Sequence, residues 1–477
     1  MKQAMGRRRF LKSAAQGAVA APMLASLNNL GFAQTDKPGH MPAAAPCAAE
    51  AAPAGPKVTL NVRDYGATGD GKTNDTKALQ LTIERCSVLG GGTVVVPAGN
   101  YSTGALVLYS DVALHIEEGA SLLGTDDLTQ YPVSEIRWQG HWSKGYSALI
   151  SSRDSNNISI TGPGRIVGNP AIVGRIQRST HLRLPALLEF INCRNLRVEN
   201  CWTSNGGMWS IHPTYCEDVL FKNVVVNSGA DGIDVDSCRH VTIDGCTFKT
   251  HDDCISLKSG RGEEGFTINR PTEDVHILNC TFYDFVWACI GIGSETSAGV
   301  RNARVENCKC VGAGTYAIYI KTRVGRGAFI EDISMDGLDV SGTRLGFLHF
   351  NFISSGNHDR FPVPGDVGIP SVRNLRFSNI RVHDVPVLVM ATDIDPIKPL
   401  TGFSLANVTG TCKRGIFLAN IKDAALSDIH VTGYSGPLLS IDNVTGTGLG
   451  GAAKLEAAMM PKVPSPFPAP ATPYRLH

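Results

Sequence analysis

Beyond about Gly91 the chain alternates short apolar stretches with turn residues, and seven of these stretches resemble one another. They read LRVENC, VLFKNV, VTIDGC, VHILNC, ARVENC, LRFSNI and FSLANV, and their last residues are Cys201, Val224, Cys246, Cys280, Cys308, Ile380 and Val408. The first four gaps between these residues are 23, 22, 34 and 28 residues long. A period of about 20 to 30 residues that holds two or three short strands is typical of a β-solenoid. Because parallel crossovers are right-handed in nearly all cases, the pattern predicts an all-β fold, a right-handed parallel β-helix.

The recurrent Asn and Cys of these stretches have a structural interpretation. Asn tolerates left-handed backbone geometry and can pair with its own copies on neighbouring coils. Cys or Val fills a narrow apolar interior. The sequence leaves open whether Cys280 and Cys308, on successive coils, form a disulfide, because their side-chain geometry decides it.

One segment has the period of an amphipathic helix instead. It runs from Asn74 to Gly90, with Asn74 or Asp75 as its N-terminal cap. One face is apolar and consists of Ala78, Leu79, Ile83 and Cys86. Since the end coils of a β-helix must be covered, we expect this short helix to cap one end and the C-terminal segment to cover the other.

Both ends of the chain differ in composition from the middle. Arg7 and Arg8 precede a weakly apolar run that ends in small residues at Ala33, as in a twin-arginine export signal. No other apolar run approaches the roughly 20 residues that span a bilayer. We therefore expect a periplasmic or secreted protein. The predicted division of the chain is residues 1–33 signal peptide, 34–56 Ala/Pro-rich linker, 57–449 β-helix domain and 450–477 Pro-rich tail.

Charge and cysteine usage exclude several classes of function. Cleavage after Ala33 removes five basic residues and leaves 39 basic against 43 acidic ones, so the mature chain lacks the positive field of a nucleic-acid-binding protein. The thirteen cysteines include no C-x-x-C pair of the kind that zinc or redox sites use. We expect no metal, no other cofactor, no membrane contact beyond export, and a monomer.

Three aspartates stand where a plain core strand would have none. Asp231 lies in ADGID, and Asp252 and Asp253 lie in HDDCI. Aligning Ile233 with Ile255, 22 residues later, places Asp231 beside Asp253 on coils that stack at about 4.8 Å. Like charges at that distance raise one pKa. The layout suits an inverting glycosidase, in which a protonated acid and a water-activating carboxylate lie about 6.5 to 9.5 Å apart.

The chain resembles the family 28 glycoside hydrolases, the polygalacturonase group of pectin-degrading β-helices. Motifs that carry the resemblance occur in order through nearly the whole predicted domain: DYGATGDGKTNDTKALQ from Asp64, GGGTVVVPAGNYSTG from Gly90, NISITGPGRIVG from Asn157, WSIHPTYCEDV from Trp209, ADGIDVDSC from Ala230, HDDCISLKSG from His251, IGIGSE from Ile290 and YIKTRVGRG from Tyr319. The resemblance implies a pectic poly- or oligosaccharide as substrate. It also implies that Asp252 is the general acid, that Asp231 and Asp253 hold the attacking water, and that Lys321 binds a uronate carboxylate or neighbouring hydroxyls.

The chain departs from the polygalacturonase pattern at three places. It has Gly229-Ala230-Asp231 for Asn-Thr-Asp, Trp287-Ala288-Cys289 for Gly-His-Gly, and Tyr319-Ile320-Lys321 for Arg-Ile-Lys. The lost arginine weakens the case for a galacturonate carboxylate in that subsite, since its guanidinium could bind a carboxylate through two hydrogen bonds. Tyr319 and Trp287 instead offer aromatic surface to a neutral or deoxy sugar. Both galacturonan and rhamnogalacturonan-type substrates therefore stay open.

Other residues near these motifs are candidates for substrate contact. They are His212, His251, Glu295 and Arg323. Two long insertions, Val133 to Ser147 and Phe350 to Gly368, could close one end of a cleft and so favour exo action.

Two further functions compete with a hydrolase. A polysaccharide lyase on the same fold would use the aspartates to bind Ca²⁺, with Lys258 or Lys321 as the base. A non-catalytic carbohydrate-binding β-helix would bind oligosaccharides without turnover, but it has little use for three clustered carboxylates.

Overall fold

Short parallel strands stack coil upon coil into three long sheets in the computed structural model, which describes residues 57–206, 208–283, 287–460 and 462–468. Most described coils supply one strand to each sheet, and these strands pair with their equivalents on the next coil. The predicted parallel β-helix is confirmed. Among the described strands, the antiparallel hairpin Val133–Trp138 and His141–Tyr146 stands apart from these sheets.

We name the sheets A, B and C. Sheet A consists of Val58–Asn61, Gly92–Val96, Val112–Ile116, Asn156–Thr161, Arg194–Glu199, Glu217–Lys222, Arg239–Asp244, Thr272–Leu278 and Val300–Glu306. Sheet B consists of Asp70–Asn74, Gly99–Thr103, Ala120–Gly124, Arg165–Val167, Trp202–Gly206, Val225–Ser228, Thr247–Thr250, Thr281–Tyr283 and Lys309–Ala313. Sheet C consists of Leu106–Val107, Ile150–Arg153, Leu188–Ile191, Ile211–Thr214, Ile233–Asp236, Ile255–Lys258, Ile290–Ile292, Tyr316–Lys321, Gly346–Asn351 and Ala453–Lys454.

Four long strands bend around coil corners and belong to more than one sheet. They are Phe329–Thr343, Ser371–Asp393, Leu400–Thr432 and Leu439–Thr447. The α-helices are Thr76–Val88 and Gly262–Ile268, and the 3-10 helices are Val62–Tyr65, Leu128–Gln130, Asp366–Gly368 and Ala457–Met459.

The register of sheet C follows the isoleucine alignment. Ile211 pairs with Ile233 and Ile233 with Ile255, and the column continues through Ile290 and Ile318. All five side chains are buried in the coil interior. Because side chains alternate along a strand, the residues between them point outward from the coil.

The Asn positions form a ladder along one corner of the coils. Asn200 has φ 59° and Asn223 has φ 52°, and the amide of Asn223 donates to Asn200 Oδ1 at 3.1 Å. Asn407 likewise donates to Asn379 Oδ1 at 2.6 Å. The left-handed geometry and pairing that the sequence predicts are confirmed.

The cysteines fill the interior. The twelve described cysteines are all buried and unpaired, so Cys280 and Cys308 form no disulfide. Cys47 lies outside the described residues.

The helix Thr76–Val88 packs into the apolar core through Leu79, Ile83 and Cys86. Asn74 Oδ1 accepts a hydrogen bond from Thr76 N at 3.0 Å. The carboxylate of Asp75 instead accepts from Thr68 N at 2.7 Å and from Gly69 N at 3.0 Å.

The C-terminal boundary predicted at Leu449 is wrong. Ala453–Lys454 pairs with Leu439–Thr447, and Leu455 is buried, so the folded part extends past that residue. A two-residue strand is too short to give a periodic signal. The predicted signal peptide and linker lie outside the described residues. No helix of the described chain is long and apolar enough to cross a bilayer.

Candidate active site

Asp231, Asp252 and Asp253 meet on the outer surface of sheet C. Asp231 precedes the strand Ile233–Asp236, and Asp252 and Asp253 precede the strand Ile255–Lys258. One carboxylate oxygen of each lies within 4.8 Å of the others. The three carboxylates are therefore together, because they flank neighbouring strands.

Asp253 is held in a nearly closed polar niche. Its side chain is 3% exposed, and Oδ2 accepts from Lys321 Nζ at 2.7 Å and from Ser256 Oγ at 3.1 Å. A methyl group on Gly291 would lie 2.7 Å from the same oxygen. Gly291 thus leaves the space that the carboxylate occupies.

The surroundings raise the pKa of two of the aspartates. Burial raises the pKa of Asp253 to about 6, with Lys321 opposing the shift and Asp252 and Asp231 adding to it. Burial and the charge of Asp231 also raise the pKa of Asp252, against the pull of Arg175. The site can therefore hold a proton on a carboxyl group at mildly acidic pH.

Asp231 is bound by a buried lysine. Lys258 Nζ donates to Asp231 Oδ2 at 3.1 Å and also forms an ion pair with Asp234. The ammonium lies 4.2 Å from the ring centre of Trp209. Burial alone would lower the pKa of Lys258, but Asp234 and Asp231 raise it well above its ordinary value. Lys258 is thus a fixed positive charge beneath the carboxylates.

A pocket opens above these groups. Of the predicted substrate-contact residues, Lys321, Tyr319, Trp287 and Glu295 line it together with the three aspartates. Tyr319 stacks on His349 with 4.8 Å between ring centres. Trp287 is 47% exposed. Lys258, Arg326 and Arg261 outweigh the effect of burial on Glu295 and lower its pKa to about 2, so Glu295 is a carboxylate.

Three predicted substrate-contact residues are placed elsewhere, which corrects the sequence analysis. His212 is completely buried between Glu189, at 3.5 Å, and the ring of Trp209, and it cannot reach a substrate. His251 is exposed, outside the lining of the pocket. Arg323 is buried and does not line the pocket either.

Arg323 supports the pocket from behind. It donates to Gly356 O at 2.6 Å and lies 2.9 Å from His358 Nδ1. Gly356 lines the pocket. Arg323 therefore fixes the pocket wall, and that explains why its own side chain is covered.

The sequence analysis did not place the lining residues Arg175 and Trp209 in the site, and it named Lys258 only as one of two candidate bases for a lyase. Arg175 forms an ion pair with Asp252 and lies 3.8 Å from Asp231 Oδ1. The alternation along Ile255–Lys258 points Lys258 outward, in agreement with its place in the pocket lining. Arg175 comes from an irregular loop, where no periodic signal exists.

The three aspartates fit a divalent cation poorly. Each is already paired with a positive side chain, namely Lys258, Arg175 and Lys321 for Asp231, Asp252 and Asp253 respectively. Ca²⁺ prefers six to eight oxygen ligands, whereas this site mixes carboxylates with ammonium and guanidinium groups. The donor set gives the calcium-dependent lyase little support.

Comparisons with known proteins show the family of the chain. Residues 86–346 match the family model described as glycosyl hydrolases family 28. A probable polygalacturonase of Vitis vinifera is 29% identical over 72% of this chain and 73% of its own. An exo-poly-alpha-D-galacturonosidase of Dickeya chrysanthemi is 26% identical over 53% of this chain and 50% of its own.

A solved structure shows the same fold. The exopolygalacturonase from Thermotoga maritima superposes with a TM-score of 0.68 at 24% identity, over 79% of this chain and 92% of that one. Since the family match covers more than half of the 477 residues and includes all three aspartates, the chain is a glycosidase that belongs to family 28 of the glycosyl hydrolases.

Proposed function

We propose that this protein hydrolyses glycosidic bonds of a pectic polysaccharide, of galacturonan or rhamnogalacturonan type, from the chain end and with inversion. The observation that carries the proposal is the state of the carboxylates of Asp231 and Asp253. A buried lysine binds one oxygen of each, and the other oxygen, Oδ1, is buried without a hydrogen-bond partner among the described residues. Two such oxygens can accept both hydrogens of one water molecule.

Asp252 is the best candidate for the general acid. Its side chain is 29% exposed, against 6% for Asp231 and 3% for Asp253, so it can reach a substrate oxygen. Its raised pKa favours the protonated form that a general acid needs. Arg175 lies against it and can stabilise the carboxylate that forms when the proton leaves.

The proposed reaction is a single displacement. Asp252 gives its proton to the glycosidic oxygen as the bond from that oxygen to the anomeric carbon breaks. The water held by Asp231 and Asp253 attacks the anomeric carbon and loses a proton to Asp253. Exchange with solvent then returns Asp252 to its acid form and Asp253 to its base form, and the net change is the addition of one water.

Inversion is tested directly by the anomer of the product that is released first. Proton NMR of the first product released from an α-linked substrate should show the β-anomer before mutarotation. A first product that is the α-anomer would instead indicate a covalent intermediate on Asp231 or Asp253, and would overturn the inverting mechanism.

Exo action is supported by the two insertions around the pocket. The hairpin Val133–Trp138 and His141–Tyr146 brings Gln139 to the pocket, and the segment after Asn351 brings Ser355, Gly356 and Asn357. Arg261 connects the two, because its N–H donates to Gly140 O at 3.1 Å and its guanidinium donates to Asp359 Oδ1 at 2.8 Å. The names of the Dickeya and Thermotoga relatives also favour exo action.

The substrate is tested by product analysis. Polygalacturonate and rhamnogalacturonan oligosaccharides should be digested separately, and the products separated by length at low conversion. We expect one of them to yield monosaccharide or disaccharide only, while the length of the remaining polymer falls slowly. A ladder of internal fragments would contradict exo action, and turnover of neither polymer would contradict the proposed substrate class.

We also propose export through the twin-arginine pathway, on the strength of Arg7, Arg8 and the small residues before Ala33. In a bacterial host, replacing Arg7 and Arg8 together by Lys should leave the full-length precursor in the cytoplasm. Lys12→Ala, which keeps the arginine pair, is the control. Export of the double variant at the normal rate would refute the proposal.

A further inference from the structure

Sheet C continues well past the carboxylates, and its outward face would form an open cleft if nothing covered it. The outward column passes from Tyr319 in the pocket to His349, Met390 and Phe417 on the following coils. Along such a column a polysaccharide chain could extend beyond the site of cleavage. The segment that lies on the outward face of sheet C therefore determines how many sugar units of a polysaccharide the site can bind.

The C-terminal part of the chain lies on this face. Leu455 is 3% exposed and packs in one apolar cluster with Tyr316, Val387 and Phe417. Met459 and Met460 pack against the same cluster. Arg414, whose guanidinium lies 4.6 Å from the ring centre of Phe417, donates to Met459 Sδ at 3.8 Å. Residues 453–460 thus cover the outward column beyond Tyr319.

Farther along, Phe467 contacts the base of the pocket wall. Its carbonyl accepts from Gly365 N at 2.7 Å. The ring of Phe467 packs directly on Gly325. A methyl group added to Gly325 would lie 2.8 Å from a carbon of this ring and 2.9 Å from the β-carbon of Pro362. Gly325 has φ 96°, a left-handed geometry that a larger residue disfavours.

Gly325 stands between two arginines that hold the pocket wall. Arg323 donates to Gly356 O at 2.6 Å, and Arg326 donates to Asn357 O at 3.1 Å and to Asp359 Oδ2 at 2.7 Å. Phe467 therefore packs against the turn from which both of these side chains project. A displacement of this turn would move the wall residues Gly356 and Asn357.

We propose that residues 462–468 are a specificity-determining part of the substrate site. They brace the wall at Gly356, while residues 453–460 cover sheet C beyond Tyr319, so that only a chain end fits. This inference rests on the proposed exo-acting glycosidase. These residues act by covering the outward face of sheet C and by holding the pocket wall in place. Their charge is therefore not what selects the substrate.

The test compares two truncated forms with the full chain. One ends at Met460 and so loses Phe467, while it keeps Leu455 in the apolar cluster. The other ends at Pro468 and keeps every contact described above, so it is the matched control. Phe467→Ala removes the ring alone and retains the backbone. This variant tests the inference if the form that ends at Met460 does not fold.

The measurement is the fall in viscosity of the polymer per reducing end released, together with product length. We expect the form ending at Met460, and to a smaller degree Phe467→Ala, to release longer products and to raise KM about tenfold, because a small displacement of a positioning wall is costly. The control should behave as the full chain. Unchanged product length and KM in folded Phe467→Ala and in the form ending at Met460 would overturn the inference. Internal cleavage by the full chain would overturn the exo proposal instead, so the two failures are distinguishable.

Discussion

Lys321 Nζ lies 2.7 Å from Asp253 Oδ2, although 68 residues separate them in the chain. Two steps of the sheet C register bring them together, from Ile255 to Ile290 and from Ile290 to Ile318. Burial raises the pKa of Asp253, and Lys321 limits that rise, so the value is about 6. The proposed base is therefore ionised near neutral pH and becomes protonated as the pH falls through about 6.

This pairing predicts the acid limb of the pH profile. Because Asp253 must be ionised to accept a proton from water, kcat should fall as the pH drops through about 6. In Lys321→Met the opposing cation is gone, so the pKa of Asp253 rises and the acid limb should move to higher pH by about one unit or more. Lys249→Met, an exposed site on sheet B, is the control. An acid limb that stays in place in Lys321→Met would contradict the assignment to Asp253.

Asp252→Asn should distinguish the role of the general acid from that of the base. We expect kcat on a natural polysaccharide to fall by about 10²- to 10⁴-fold, the usual contribution of a positioned proton donor. An aryl glycoside whose phenol leaves without protonation should be cleaved by Asp252→Asn at a rate near that of the parent protein. Asp253→Asn should fail on both substrates. Equal loss on both substrates for Asp252→Asn would exclude its role as the acid.

The Asn ladder can be tested at Asn223. The left-handed backbone at φ 52° costs a residue with a β-carbon about 1 to 2 kcal/mol, whereas glycine adopts it freely. Asn223→Ala loses both the geometry and the hydrogen bond to Asn200, and Asn223→Gly loses only the hydrogen bond. We expect thermal unfolding at a lower temperature for Asn223→Ala than for Asn223→Gly. The reverse order would show that backbone geometry is not what selects Asn here.

Asp75 should contribute stability at the N-terminal end of the β-helix. Its buried carboxylate accepts from Thr68 N and Gly69 N, and Asp75→Ala leaves both donors without that acceptor. The expected cost is about 2 to 4 kcal/mol, seen as a lower midpoint in urea unfolding. The exposed Asp64→Ala is the control and should unfold like the parent. A normal midpoint for Asp75→Ala would mean that water replaces the carboxylate.

The sequence predicts the fold and the meeting of the aspartates because both follow from local alternation. Ile233 and Ile255 are 22 residues apart, which is the length of one coil. Because each side chain points inward, the residues next to it along the strand point outward. The outward position of Lys258 follows from Ile255 by the same alternation.

What the sequence does not predict depends on chain segments that cover sheet C from a distance. His212 points outward by alternation, yet it is completely buried. Side chains from distant segments cover it: Arg183 donates to its neighbour Glu189 at 2.7 Å, and Arg137 of the hairpin donates to Asp236 at 3.3 Å. Irregular segments carry no periodic pattern. The sequence alone therefore does not distinguish the covered parts of the outward face of sheet C from the open parts. The burial of Leu455 beyond the last long strand was missed for the same reason.

The most direct test of the proposed hydrolase is the release of reducing ends from pectic polymers in the presence of EDTA, by the mature protein and by Asp252→Asn. The absorbance of unsaturated uronate is followed in the same samples. We expect reducing ends from the mature protein without any gain in absorbance, and a loss of this activity in Asp252→Asn. Absorbance that appears only when calcium is restored would contradict the hydrolase and indicate a lyase, and undiminished activity of Asp252→Asn would contradict the assignment of the acid.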